Sequence, residues 1–128
     1  MVRKFNPDGM MVSPAYSHGV EIATPARMLY ISGQVGALPD GSIAKGIEAQ
    51  VQAVIANIDR VLAGADMTRA DVVKYTIFLV AGIDINAYRA AAGPLLPVPP
   101  PASSLVFVQA LASPDFLVEI EAVAMRQA

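Results

Sequence analysis

The chain has 128 residues, of which 55% are hydrophobic and 16% are charged, and its formal net charge at pH 7 is −2. This length suits one domain, so a single domain over residues 1–128 is expected. Binding to nucleic acid by bulk electrostatics needs a basic face, and the acidic balance therefore predicts no nucleic-acid partner. The absence of cysteine excludes disulfides, thiolate nucleophiles and cysteine-ligated metals. Typical domains carry ~25% charged residues, so this chain is poor in charged residues and rich in apolar ones. Part of this apolar excess is expected to be buried between subunits.

The sequence contains no segment typical of a membrane span or a secretory signal. The longest apolar runs, such as Ile77–Ala81, are far shorter than the ~20 residues that cross a bilayer. The first residues, Met1–Asp8, include basic side chains but no apolar stretch follows them. These patterns predict a cytoplasmic protein without a membrane partner.

The first elements in chain order are two strands. A weak strand is predicted over Tyr16–Ile22, and a stronger one, rich in β-branched and aromatic residues, over Met28–Ser32. The residues between them, Ala23–Ala26, predict a hairpin turn. The segment Leu38–Ser42 predicts a second turn, because its proline presets φ and its Asp-Gly pair accepts a positive φ.

The first helix is predicted over Lys45–Ala63, where the spacing of apolar residues changes to the helical period. Its apolar residues recur at steps of three and four and form one stripe: Ile47, Val51, Val54, Ile55, Ile58, Val61 and Leu62. The following Thr68–Asp71 has the Thr-x-x-acid pattern of a capped turn.

The second half of the chain alternates strand and helix. Val72–Val80 is predicted to be a central strand, because both of its faces become apolar toward its end. Asp84–Ala92 suits a second helix with Asp84 as its N-cap. Pro94–Pro101 holds five of the ten prolines, and it indicates either a stiff connector or a Pro-rich ligand for a recognition domain.

Two more strands, Leu105–Val108 and Val118–Ala124, complete the chain, with a turn at residues 112–115 between them. The predicted order, two strands, helix, strand, helix, two strands, indicates an α+β domain.

Few residues carry an obvious chemical signal. His18 is the only histidine, so no His-x-x-x-His metal site exists, and no Gly-x-Gly-x-x-Gly or Walker loop offers a cradle for a nucleotide. Hence no metal and no cofactor are predicted. Glu119 and Glu121 fall on one face of the last strand. Such a pair indicates either a solvated outer face or a carboxylate that acts as a general base for water.

Several landmarks occur in the order found in one known family. They are the segments Ser13–Tyr16, Tyr30–Val35, Val72–Leu79 and Val118–Ala124, together with Asn57 in the first helix. With these landmarks the chain resembles the Rid family (YjgF, reactive intermediate deaminase, also labelled endoribonuclease L-PSP). The resemblance runs from about Ser13 to Met125.

The resemblance implies a chorismate-mutase-like α+β fold, a mixed sheet packed on two helices, and a homotrimer with a small-molecule ligand in a cleft at each subunit interface. It also implies hydrolysis of enamines and imines, such as 2-aminoacrylate, to a keto acid and ammonia without a cofactor. Carried over by position, Glu119 matches the catalytic glutamate that positions water. The matching substrate-binding positions are Tyr16, Ser32, Gly33 and Asn86.

One position departs from the family pattern. The family arginine that pairs with a substrate carboxylate stands in a Pro-Ala-Arg-Ser context, and this chain has Ser103 at that position. A serine hydroxyl has no charge and a shorter reach than a guanidinium. The substitution predicts an altered substrate range, with a neutral, smaller or more apolar ligand that Ser103 contacts. The sequence leaves open whether Arg89 on the second helix enters the pocket.

Two functions therefore follow from the sequence. The first is a Rid-family hydrolase acting on an imine, an enamine or a related metabolite, and the second is a non-catalytic trimer that binds or senses a metabolite in the same cleft. The endoribonuclease label is not adopted, because the net charge of −2 and the single histidine suit RNA cleavage poorly.

Overall fold

A four-stranded mixed sheet with two helices on one face forms the body of the protein. The computed structural model describes residues 2–23 and 26–127. The strands are β1 (Val2–Phe5), β2 (Gly19–Ile22), β3 (Ala26–Gln34), β4 (Val72–Val80), β5 (Ala102–Val108) and β6 (Val118–Gln127), and the helices are α1 (Ile47–Gly64) and α2 (Ile85–Ala92). Short 3₁₀ turns occupy Arg69–Asp71 and Gly93–Leu95.

The strand order of the large sheet is β3-β6-β4-β5. Strand β6 is antiparallel to both of its neighbours, whereas β4 and β5 are parallel. Strands β3, β4 and β5 therefore run in one direction, and α1 and α2 are the crossovers that connect them. Crossovers of one hand that step the same way along a sheet place their helices on the same face. This topology leaves the other face of the sheet uncovered.

The core lies between the helices and the covered face of the sheet. The predicted stripe of α1 is confirmed, since Val51, Val54, Ile55, Ile58 and Leu62 are all buried in it. Strand β4 is central, as predicted, and its residues alternate between buried and half-buried along Val73–Val80. Helix α2 begins where the sequence indicates, with the carboxylate of Asp84 accepting a hydrogen bond from the backbone N–H of Asn86.

The uncovered face of the sheet is apolar at several positions. Met28, Tyr30 and Val106 are 52%, 71% and 43% exposed, respectively. Exposed apolar patches on a sheet typically mark an interaction surface. We call this surface the open face; Glu119 and Glu121 lie on it, because they alternate with the buried Val118, Ile120 and Ala122.

The predicted first hairpin is wrong. Strand β2 pairs with β1, an element that the sequence did not reveal, and β3 pairs with β6 instead of β2. Strand β1 has only four residues, which is too short for a clear alternation pattern. The predicted turn at Ala23–Ala26 lies partly outside the described residues.

A buried glutamine fastens the loops around the start of β6. The side-chain amide of Gln50 donates to the carbonyls of Ala44 at 3.0 Å and Asp115 at 2.7 Å, and its Oε1 accepts from the N–H of Leu117 at 2.8 Å. Gln50 is only 2% exposed. The bond to Leu117 holds the residue directly before β6, two positions before Glu119.

Replacing this glutamine is expected to destabilise the fold. Gln50→Ala leaves one buried and two part-buried hydrogen-bonding backbone groups without this partner and removes packing, so the free energy of unfolding should fall by about 2–4 kcal/mol. Gln52→Ala on the exposed side of the same helix is the control, with an expected change within about 0.5 kcal/mol. Urea unfolding of both variants measures the difference, and equal midpoints would contradict the role of Gln50.

Candidate functional site

A cavity of about 400 Å³ lies beside α2, at the edge of the sheet formed by β5. We call it the helix-side cavity. Its apolar wall includes Ile77, Ala92, Leu95, Leu96 and Leu105. Its polar lining residues include Ser13, Tyr16, Tyr88, Arg89 and Ser103. Two of the predicted substrate-binding residues, Tyr16 and Ser103, therefore share one cavity.

The loop that carries Tyr16 is tied to the start of β5. The hydroxyl of the buried Ser17 donates to the carbonyl of Pro100, and its backbone N–H donates to the carbonyl of Pro101 at 2.9 Å. A third bond runs from Lys4 Nζ to the carbonyl of Pro99 at 2.8 Å. The proline-rich segment is thus a connector that sets Tyr16 beside Ser103.

His18 has a structural role in the same loop. Its backbone N–H donates to the side chain of Asn6 at 2.9 Å, and its ring Nε2 lies 2.7 Å from the carbonyl oxygen of Met11. Its ring also contacts the ring of Tyr16 edge to face, with centroids 5.1 Å apart. These contacts fix the loop over the cavity.

A second pair of predicted residues, Gly33 and Glu119, meets on the open face, and Ser32 is the chain neighbour of Gly33. A Cβ built on Gly33 would lie 2.4 Å from Oε1 of Glu119, so the carboxylate rests directly on the glycine backbone. Any larger residue at position 33 would force Glu119 to move. We call Ser32, Gly33 and Glu119 the carboxylate patch.

A β-bulge shapes this patch. Ile31 pairs with Ala122 and Gln34 with Ile120, so Ser32 and Gly33 together oppose the single residue Glu121. Bulges disrupt the ladder and re-aim local groups, and they are frequent beside functional sites. Within residues 2–23 and 26–127 the Glu119 carboxylate has no hydrogen bond or ion pair. It is half-buried and free to accept a proton or a hydrogen bond from a ligand or a water molecule.

The two groups lie on opposite faces of the sheet. Ser103 pairs with Tyr75, whose side chain is buried on the helix side, whereas Glu119 pairs with Phe78 on the open face. One chain therefore holds Tyr16 with Ser103 and, separately, Ser32 and Gly33 with Glu119. Asn86 joins neither group, because it is exposed in the first turn of α2 and does not line the cavity.

The residues of α2 that do line the cavity are Tyr88, Arg89 and Ala92. Burial raises the pKa of Tyr88 to about 12, so this hydroxyl stays protonated at neutral pH. Sequence reasoning missed Tyr88 as a site residue and left Arg89 open. The signal available for Tyr88 was the spacing of Ile85, Tyr88 and Ala92 at steps of three and four, which indicates one core-facing side of α2.

Comparison with known proteins identifies the chain. The sequence profile described as Endoribonuclease L-PSP matches residues 9–126. The chain belongs to this family, the Rid (YjgF) family.

Members of the Rid family share the whole fold. A Rid-family protein of unknown function, YyfB from Yersinia pestis, is 38% identical, with 96% of this chain and 97% of that chain covered and a TM-score of 0.86. RidA from an Antarctic Psychrobacter is 30% identical over 94% of this chain and 93% of its own, with a TM-score of 0.72. A RutC family protein of Aquifex aeolicus is 37% identical over 75 residues, which is 58% of this chain and 55% of that protein. The match thus spans about half the length of this curated relative.

The predicted α+β fold of a mixed sheet on two helices is therefore confirmed as the Rid fold. One landmark of the resemblance, Asn57, has a structural place in it. Its amide donates to the carbonyl of Ala37 at 2.9 Å and accepts a hydrogen bond from Arg60, which fastens the loop after β3 to α1. Within the described ranges, no cluster of three His, Asp or Glu residues is placed to hold a metal ion. No helix in those ranges has the length and apolar character needed to cross a membrane.

Proposed function

We propose that this Rid-family chain is a cofactor-independent hydrolase of imines or enamines that works as a homotrimer. The observation that carries the proposal is the separation of the site into two parts. Glu119 offers a carboxylate that has no partner among the described residues on the open face, while the helix-side cavity, on the other face, has no Asp, Glu or His among its lining residues. A neighbouring subunit would place the carboxylate patch of one chain at the cavity of the next.

The open face supports such an assembly. Packing the sheets of neighbouring subunits together would cover the exposed apolar residues of this face, which include Met28, Tyr30 and Val106. This accounts for the high apolar share of the sequence. The proposed compartment is the cytoplasm, and a chain without cysteine needs no oxidising compartment to form disulfides.

The chemistry proposed for Glu119 is general base catalysis. Its carboxylate takes a proton from a water molecule, whose oxygen attacks the imine carbon. The protonated Glu119 returns this proton to the imine nitrogen. The resulting carbinolamine collapses to a carbonyl group and releases ammonia, so one imine and one water give one carbonyl compound and one ammonia. Tyr16, Ser32 and Ser103 would donate hydrogen bonds to the ligand, and Ser103 in place of arginine would alter the substrate range.

One observation favours the alternative, a trimer that binds a metabolite without turnover. The cavity wall is mostly apolar, and Arg89 is the one charged residue among those that line it. Such a cavity can hold a ligand without any group that transfers protons. RNA cleavage is not proposed, because the single histidine is held on the carbonyl of Met11.

The test is an ammonia-release assay on the purified protein with a panel of imines made in situ by an amino-acid oxidase, which uses O₂ to oxidise neutral, acidic and apolar amino acids. The proposal predicts release above the uncatalysed rate for at least one member, at a catalyst concentration far below that of the substrate. A ligand that binds tightly and is recovered unchanged supports the alternative instead. No release from any member, together with unchanged ligand binding in Glu119→Gln, would overturn the hydrolase.

A further inference from the structure

We propose that Arg89, with the hydroxyls of Tyr88 and Ser103, forms a subsite for the carboxylate of a small, otherwise apolar ligand in the helix-side cavity. This inference rests on the proposed function, since it names the class of ligand that the same cavity would take. It assigns the positive charge of the site to helix α2, and it revises the expectation that the ligand is neutral.

Arg89 is a cation at a cavity wall, and no counterion for it is found among the described residues. Most other cations of the described chain are engaged, as in the ion pairs of Arg3 with Glu21 and Arg69 with Asp59. In residues 2–23 and 26–127, the guanidinium of Arg89 has no hydrogen bond or ion pair, and no Asp or Glu lines the cavity. Its charge is therefore available to a ligand.

Tyr88 provides the second observation. It is only 6% exposed and lines the cavity, yet its hydroxyl has no hydrogen-bond partner in the described part of the chain. No side-chain oxygen or nitrogen there is both fully buried and unsatisfied, so this hydroxyl keeps some accessible surface on a residue that lines the cavity. Because burial raises the pKa of Tyr88 to about 12, the group remains a donor across the neutral range. A hydroxyl on a residue at the cavity wall, without a partner in the described protein, is available to donate to an acceptor on a ligand.

The composition of the cavity favours a carboxylate over other anions. One planar guanidinium and two neutral hydroxyls match a monoanion with two oxygens, whereas a phosphate dianion is usually met by more charge. The apolar wall, including Ile77, Leu95 and Leu105, suits an apolar remainder of the ligand. In such surroundings a charge-assisted hydrogen bond is stronger than in water.

The experiment compares isobutyrate with isobutyramide, which has the same shape and no charge. In NMR titrations of the full-length protein, the wild type is expected to bind the acid at least about tenfold more tightly than the amide. Arg89→Gln should abolish this preference, and Arg89→Lys should retain part of it. Lys45→Gln is the control, since Lys45 is exposed, lies outside the cavity and carries the same charge.

Neither probe has an imine, so the result is independent of turnover. Loss of the preference in Arg89→Gln but not in Lys45→Gln supports the subsite even if the protein hydrolyses nothing. Equal binding of acid and amide by the wild type, or an unchanged preference in Arg89→Gln, overturns the subsite and leaves the hydrolase proposal in place. Preferential binding of inorganic phosphate over isobutyrate would also overturn it.

Discussion

Glu119→Gln is expected to lower kcat/KM for ammonia release by about 10²–10⁴-fold, the usual contribution of a general base. Glutamine has nearly the same shape, so the side chain still rests on Gly33, but an amide cannot accept the proton of a water molecule. Since the carboxylate has no partner within the described residues, no ion pair is lost, and the urea unfolding midpoint should stay unchanged. The measurement is steady-state kinetics on the best substrate of the imine panel.

Glu121→Gln is the matched control for this loss. Glu121 lies on the same face two residues further along β6, and it is exposed. Removing its charge changes the local potential by a similar amount without touching the carboxylate above Gly33. A comparable loss in both variants would point to general electrostatics, and an unaltered rate in Glu119→Gln would remove its assigned role.

Gly33→Ala is expected to reduce kcat/KM by about 10–100-fold, because a misplaced catalytic group loses much of its rate advantage. The added Cβ would lie 2.4 Å from Oε1 and 2.7 Å from Cδ of Glu119, so the carboxylate must swing away. The φ of Gly33 is outside the left-handed region, so alanine adds no backbone strain there. Kinetics and urea unfolding, measured on the same preparation, separate misplacement of Glu119 from loss of the fold.

Gly64→Ala supplies the comparison for that variant. A Cβ on Gly64 meets nothing within 4 Å, and this residue ends α1. Alanine there should leave the rate unchanged and raise the free energy of unfolding by about 0.4–1 kcal/mol. If Gly33→Ala behaves in the same way, the contact between residue 33 and Glu119 does not control the reaction.

The elements that could be predicted from the sequence are those in which apolar residues recur with a clear helical or strand period. The apolar stripe of α1 and the alternation of apolar and polar residues in β4 and β6 predict which side of each element faces the core. The structure confirms these predictions. Strand β1 and its pairing with β2 were missed because four residues define no period, and because a partner strand is chosen by the whole topology. A turn signal between two strands does not ensure that they pair with each other.

Some residues of the candidate site could be proposed from the sequence, but Tyr88 was missed, Asn86 joins neither group, and the arrangement could not be predicted. Resemblance to a family pointed to Gly33 and Glu119, and the structure brings them into contact. The same resemblance could not show that Tyr16 and Ser103 lie on the other side of the sheet. Alternate residues of a strand point to opposite faces of the sheet, and the register decides which residues face the helices. Ser103 is paired with Tyr75 on the helix side, and Glu119 is paired with Phe78 on the open face. Arg89 could not be placed either, since the phase of a two-turn helix depends on how it packs.

The most direct test of an active site shared between subunits is complementation between two inactive variants. One variant is Glu119→Gln, and the other is Ser103→Phe, which fills the helix-side cavity with a larger side chain. The two are co-expressed with different affinity tags, and the trimers that carry both tags are isolated. In a ring of three, every such trimer has one site with an intact Glu119 and an intact cavity, so about one third of the wild-type ammonia release is expected. Mixed trimers as inactive as either parent would contradict a site that is built from two subunits.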